Sequence, residues 1–162
     1  MITVGDRLPE GGFRMKNDEG TAVVVSAADL FGGQTVVLVG VPGAFTSTCH
    51  NAHVPQFIAN AETLKGKGVD RIVVMATNDH HVMRAWGEAL GGTAKIDFVA
   101  DGNGDYTRAL GLEVDLSASG LGKRCKRFSA VVKDGVVETL NFEPEGGKGI
   151  SATGAATILE QV

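Results

Sequence analysis

Residues 35–50 read Thr-Val-Val-Leu-Val-Gly-Val-Pro-Gly-Ala-Phe-Thr-Ser-Thr-Cys-His, an apolar run that stops at a proline and passes through a threonine-rich stretch to a cysteine. Residues 35–41 are rich in β-branched side chains with no alternating polar position, the pattern of a strand buried on both faces. Residues 71–77, Arg-Ile-Val-Val-Met-Ala-Thr, repeat it. Between the two, from about residue 48 to 65, Ala52, Phe57, Ile58, Ala61 and Leu64 recur at helical spacing, and Gly66 and Gly68 end the run. Strand, helix, strand predicts a parallel crossover.

Outward from that unit, Asn78 or Asp79 can cap a second helix reaching Leu90, closed by Gly91-Gly92, with Val82, Met83, Trp86 and Leu90 on its apolar side. A strand follows at 96–100 and a short helix at 106–110. Asp134-Gly135 between the apolar runs 128–133 and 136–142 signals an antiparallel hairpin. The chain ends in a helix over 153–161. These elements predict one α/β domain spanning 1–162: a thioredoxin-like sandwich, with a central mixed sheet and helices on both faces. The glycine-rich pieces 118–122 and 145–149 read as loops, and neither has a phosphate-binding fingerprint.

The 162 residues are 43% apolar and carry a formal net charge of −4 without long basic runs, so nucleic acid is not expected as a partner. No apolar stretch approaches the roughly 20 residues that span a bilayer, and the first residues lack a leader pattern. A cytoplasmic protein is expected. With two cysteines, Cys49 and Cys125, no disulfide scaffold can form, and a reducing compartment is the default.

Cys49 falls where the turn after the first buried strand feeds a helix. Unpaired N–H groups and the positive end of the helix dipole there favour a thiolate. Thr46, three residues earlier, can place a hydroxyl beside the sulfur, as a donor to the anion and a partner for a substrate oxygen; Thr46 can also cap the helix, and Thr48 is read as a cap alone. Pro42 fixes the loop and offers no competing N–H. Pro55, inside the expected helix, should bend it.

Pro42-x-x-x-Thr46-x-x-Cys49 resembles the active-site signature of the peroxiredoxins. With Gly43, Ala44, Phe45 and the following His53-Val54-Pro55, it is similar to the type II, peroxiredoxin-five-like subfamily, and the likeness continues through Asn78-Asp79, Trp86-Gly87 and Lys126-Arg127-Phe128-Ser129. The resemblance implies a thiol peroxidase that reduces hydrogen peroxide and organic hydroperoxides through a cysteine sulfenic acid and needs no metal or organic cofactor. It implies that Cys49 attacks the peroxide, Thr46 binds it, Pro42 shields the site and Arg127 polarises thiolate and substrate. The residues alone do not separate Arg127 from Arg124. The resemblance also implies a homodimer with Phe45 and Trp86 near the interface.

Where some members carry a second cysteine, this chain has Ser151 and Val74, so a one-cysteine cycle recycled by glutathione with glutaredoxin, or by thioredoxin, is expected. Cys125 is expected to be a buried structural thiol, although a strand extending to Arg127 would put the two on one face. Three other readings compete. His50 and His53 with Cys49 give only a partial zinc ligand set; either histidine could serve as base in a cysteine hydrolase; and oxidised Cys49 could act as a redox switch.

Overall fold

The computed structural model describes residues 1–144 and 149–162. The chain opens with β1 (Gly12–Lys16), β2 (Ala22–Ser26) and α1 (Ala27–Phe31), and then forms β3 (Thr35–Gly40). A helical turn starting at Ser47 widens into a π-helix over Cys49–His53, continued by α2 (Val54–Ala59) and α3 (Ala61–Gly66). Next come β4 (Arg71–Ala76), α4 (His80–Leu90), β5 (Asp97–Ala100), α5 (Asp105–Leu110), β6 (Glu113–Asp115), β7 (Lys123–Cys125), β8 (Phe128–Lys133), β9 (Val136–Phe142) and α6 (Ala155–Gln161).

Seven strands form one mixed sheet in the order β2-β1-β5-β4-β3-β8-β9, with β3, β4 and β5 parallel and the remaining pairs antiparallel. This is the thioredoxin-like sandwich the sequence predicts. β3 and β4 sit at its centre because their side chains are apolar on both faces. Val37, Val39 and Val74 pack under Phe57, Leu64, Met83, Trp86 and Ile158. Val36, Leu38, Val73 and Met75 pack on the other side against Leu30, Phe31, Tyr106 and Leu110. Helices therefore cover both faces.

The predicted hairpin is present with its two-residue turn, and Asp134 and Gly135 take φ of 46° and 75°, the left-handed pair that matches strand twist. Asp79 caps α4, its Oδ1 accepting from Val82 N at 2.9 Å, and Gly91 closes that helix at φ 68°.

The structure corrects the sequence in several places. The hairpin β1–β2 and the small sheet of β6 with β7 were not anticipated. The helix expected over 48–65 is broken at Asn60, and its first turn is π-helical, with Val54 N bonded to Cys49 O. Pro55 follows that turn as the second residue of α2, where its missing N–H removes little. Thr48 is itself helical and makes no capping bond. The last helix starts at Ala155, because residues 151–153 are bonded elsewhere. Residues 118–122, read as a loop, join β6 to β7 but begin inside a 3-10 turn over Ser117–Ser119, whereas 145–148 of the other glycine-rich piece fall outside the described residues.

Candidate active site

The stretch after β3 is pinned from two directions. Ala44 N donates to Asn78 Oδ1 at 2.9 Å, and Arg124 Nη1 donates to the Pro42 carbonyl at 3.2 Å while its Nε holds Leu121 O. A Cβ at Gly43 would stand 2.7 Å from Arg124 Nη1, so a larger residue would push that side chain aside. Phe45 follows in the left-handed region at φ 61°, an uncommon conformation for a bulky residue. Its ring stacks on His50 at 5.6 Å and lies 6.4 Å from Trp86.

This loop delivers Cys49 into the first helical turn, where the side chain is fully buried. Arg127, just ahead of β8, donates from Nη2 to Cys49 Sγ at 3.1 Å and from Nη1 to His53 Nδ1 at 2.8 Å. His53 is also fully buried, with Nε2 2.9 Å from the Thr153 carbonyl. A guanidinium only donates and a carbonyl only accepts, so the ring is the neutral Nε2–H tautomer. Burial, reinforced by the Arg127 charge and opposed by the Thr153 bond, pushes its pKa from 6.5 to about 4.

Thr46 Oγ1 donates to the Gly43 carbonyl at 2.7 Å. Its proton is committed to the loop, so it presents lone pairs rather than the donor to sulfur that the sequence led us to expect. Pro42 is half-buried at the start of the same loop. Cys49, Thr46, Pro42 and Arg127 are thus brought to one region. Arg124, inseparable from Arg127 in the sequence, supports the loop and not the sulfur.

Cys125 lies elsewhere. β7 ends at this residue and belongs to the small sheet, so no strand runs on to Arg127; Cys125 packs with Leu38, Val73 and Met75, on the face opposite the Cys49 cluster. Burial raises its thiol to about 12, and both cysteines are free. Val74 is a buried residue of β4, and Ser151 is bonded to Glu143. Trp86 is fully buried, its Nε1 donating to His50 Nδ1 at 3.0 Å, so of the pair expected near an interface only Phe45, 51% exposed, reaches the surface.

Neither histidine aims a lone pair at the sulfur: His50 Nδ1 accepts from Trp86 and His53 Nδ1 from Arg127. The base that a hydrolase requires is not in place. Among the described residues no group of three or more His, Cys, Asp and Glu could hold a metal ion, and no helix is long and apolar enough to cross a membrane. A surface cleft of about 470 Å³ beside Asp79, Asp101 and Asp105 contains neither cysteine, so concavity alone would have misplaced the site.

Sequence reasoning missed His53 as the partner of Arg127. The two are 74 residues apart, and no local pattern links them.

The Redoxin family profile matches residues 3–159. The chain is 47% identical to Peroxiredoxin-2C of Oryza sativa subsp. japonica over 159 residues, 98% of this chain and 97% of that one. It is also 47% identical over 150 residues to the chloroplastic Peroxiredoxin-2E-2 of the same plant, covering 90% of this chain and 66% of the relative. Among solved structures, reduced Prx3 of Vibrio vulnificus in complex with hydrogen peroxide superposes with a TM-score of 0.92 at 43% identity, covering 99% of each chain.

Proposed function

The chain belongs to the peroxiredoxins, in their type II group, and is a thiol peroxidase; from that premise we propose that Cys49 is the attacking thiolate, that Thr46, Pro42 and Arg127 complete its site, and that residues 1–162 act as one such domain. The observation that carries this reading is the Arg127 Nη2 bond to a buried Cys49 Sγ. A fixed cation against the sulfur stabilises the thiolate, and its remaining donors face the charge that develops on peroxide oxygen.

The substrates are hydrogen peroxide and organic hydroperoxides, in keeping with the peroxide bound to the Vibrio relative. The Cys49 sulfur attacks the terminal oxygen. An S–O bond forms as the O–O bond breaks, sulfur loses two electrons, and the leaving oxygen takes a proton to depart as water or an alcohol. Thr46, with its hydroxyl proton held by Gly43, accepts the hydrogen bond of the incoming peroxide, which orients the O–O axis toward sulfur. Pro42 covers the sulfur without an N–H.

The sulfenic acid is then reduced from outside. One thiol condenses with it, releasing water, and a second thiol frees Cys49. Cys125 on the far face, together with Ser151 and Val74 at the alternative positions, supports this one-cysteine cycle, with glutathione and glutaredoxin or thioredoxin as donor. Phe45 is the apolar contact for a homodimer, held from beneath by His50 and Trp86. Two unpaired cysteines favour a reducing compartment, the cytoplasm.

The test is peroxide turnover by the wild type and Cys49→Ser, run separately with glutathione plus glutaredoxin and with thioredoxin. Turnover only in the wild type, with either donor, is expected. Activity surviving the substitution would end the assignment.

A further inference from the structure

Glu143 stands far from Cys49 in sequence and does not touch it, yet its carboxylate gathers five donors. These are Ser151 N and Oγ, Ala152 N, and Thr153 N and Oγ1. The segment 151–153 is thereby wrapped around one anion. Burial alone would raise this carboxyl, but the hydrogen bonds from Thr153, Ser151 and Ala152 outweigh it and hold it near 2, so the carboxylate is present throughout the working range.

The wrapped segment ends on the carbonyl that fixes His53. Thr153 O accepts from His53 Nε2, which leaves His53 Nδ1 free to accept from Arg127, whose other nitrogen holds Cys49. The sheet explains why the two ends of this chain of contacts meet. β8 and β9 pair with Phe128 opposite Phe142. Continuing that antiparallel register one step sets Arg127 across from Glu143. The two form no ion pair among the described residues, and the connection runs through Thr153 and His53.

We propose that Glu143 is a positioning residue for Arg127, acting through the Thr153 carbonyl and the neutral His53 ring. This rests on the assignment of Arg127 made above. Without the carboxylate, residues 151–153 lose five bonds at once, the carbonyl shifts, and the histidine no longer holds the guanidinium at hydrogen-bonding distance from sulfur. Displacing a catalytic group by about 1 Å can cost on the order of a hundredfold in rate. A relaxed loop should cost less, about tenfold.

The experiment is a double-mutant cycle on the complete, pre-reduced protein, reading the second-order rate of Cys49 oxidation by hydrogen peroxide in a single turnover. Glu143→Ala is expected to slow that step about tenfold in the wild type and not at all in Arg127→Ala. His53→Gln, which keeps one acceptor and one donor, should retain most of the rate that His53→Leu loses. Equal losses from Glu143→Ala with and without Arg127, or no loss in either, overturn the relay and leave Arg127's own role standing. A wild-type rate in Arg127→Ala would instead overturn the assignment beneath it. If Glu143→Ala does not fold, Glu143→Gln carries the same comparison with a smaller expected loss.

Discussion

Arg127 makes two bonds in different directions, one to Cys49 and one to His53, each from a different nitrogen of its planar fork. Arg127→Lys retains the charge and loses the fork. Loss of one such donor at a developing anion typically costs ~10²–10³ in rate. We expect a fall of about a hundredfold in peroxide reactivity, followed by the Trp86 fluorescence change in stopped flow, with little change in melting temperature. His53 carries a separate signature. Its pKa is about 4 folded and 6.5 unfolded, so between those values the unfolded chain binds more protons and stability rises with pH. The contribution is fully present above about pH 6.5 and is lost as the pH falls from there through 4, amounting to about 3 kcal/mol across the interval. Denaturant unfolding at pH 7 and pH 4 should lose less stability in His53→Gln than in the wild type; an equal loss would mean that the buried ring does not drive it.

The motif pair Asn78-Asp79 divides between two elements, and its members are expected to separate on mutation. Asp79 caps α4, so Asp79→Ala should cost about 1 kcal/mol of stability with peroxide reactivity nearly intact. Asn78 holds Ala44 of the Cys49 loop, so Asn78→Ala should lower reactivity severalfold for a similar loss of stability. Unfolding curves and single-turnover rates on both variants check this, and matching activities would count against the loop's being pinned by Asn78. The same contrast marks what was legible beforehand. β3, β4, the hairpin turn at Asp134-Gly135 and the cap of α4 are set by residues within a few positions of one another, and the sequence reading found them. Cys49, Thr46 and Pro42 lie in one short loop and were equally visible. The π-helical turn was not, because no local pattern over Cys49–His53 separates i→i−5 from i→i−4 bonding. Nor was the partnership of Arg127 with His53, which are 74 residues apart, or of Glu143 with residues 151–153, since tertiary packing and no local sequence pattern brings them together. Arg124 and Arg127 look alike in the chain and differ only in where β7 and β8 point them.

Across the whole molecule the two thiols lie in core clusters on opposite faces of the central sheet, which supports the proposed one-cysteine cycle. A disulfide needs Cα atoms within about 7 Å and side chains pointing toward each other, whereas Cys49 and Cys125 belong to cores on opposite faces of β3 and β4. A raised pKa of about 12 also keeps Cys125 protonated, so it is a poor nucleophile toward a sulfenic acid even if the site opens. The oxidised protein should therefore carry one added oxygen on Cys49 and no internal crosslink when treated with one equivalent of peroxide, as read by mass spectrometry of peptides. Cys125→Ala should turn over peroxide with an external thiol at the wild-type rate, losing about 1 kcal/mol of stability to the small cavity left behind. A stoichiometric Cys49–Cys125 disulfide, or turnover that collapses in Cys125→Ala while the fold persists, would overturn the one-cysteine reading and replace the external thiol with an internal one.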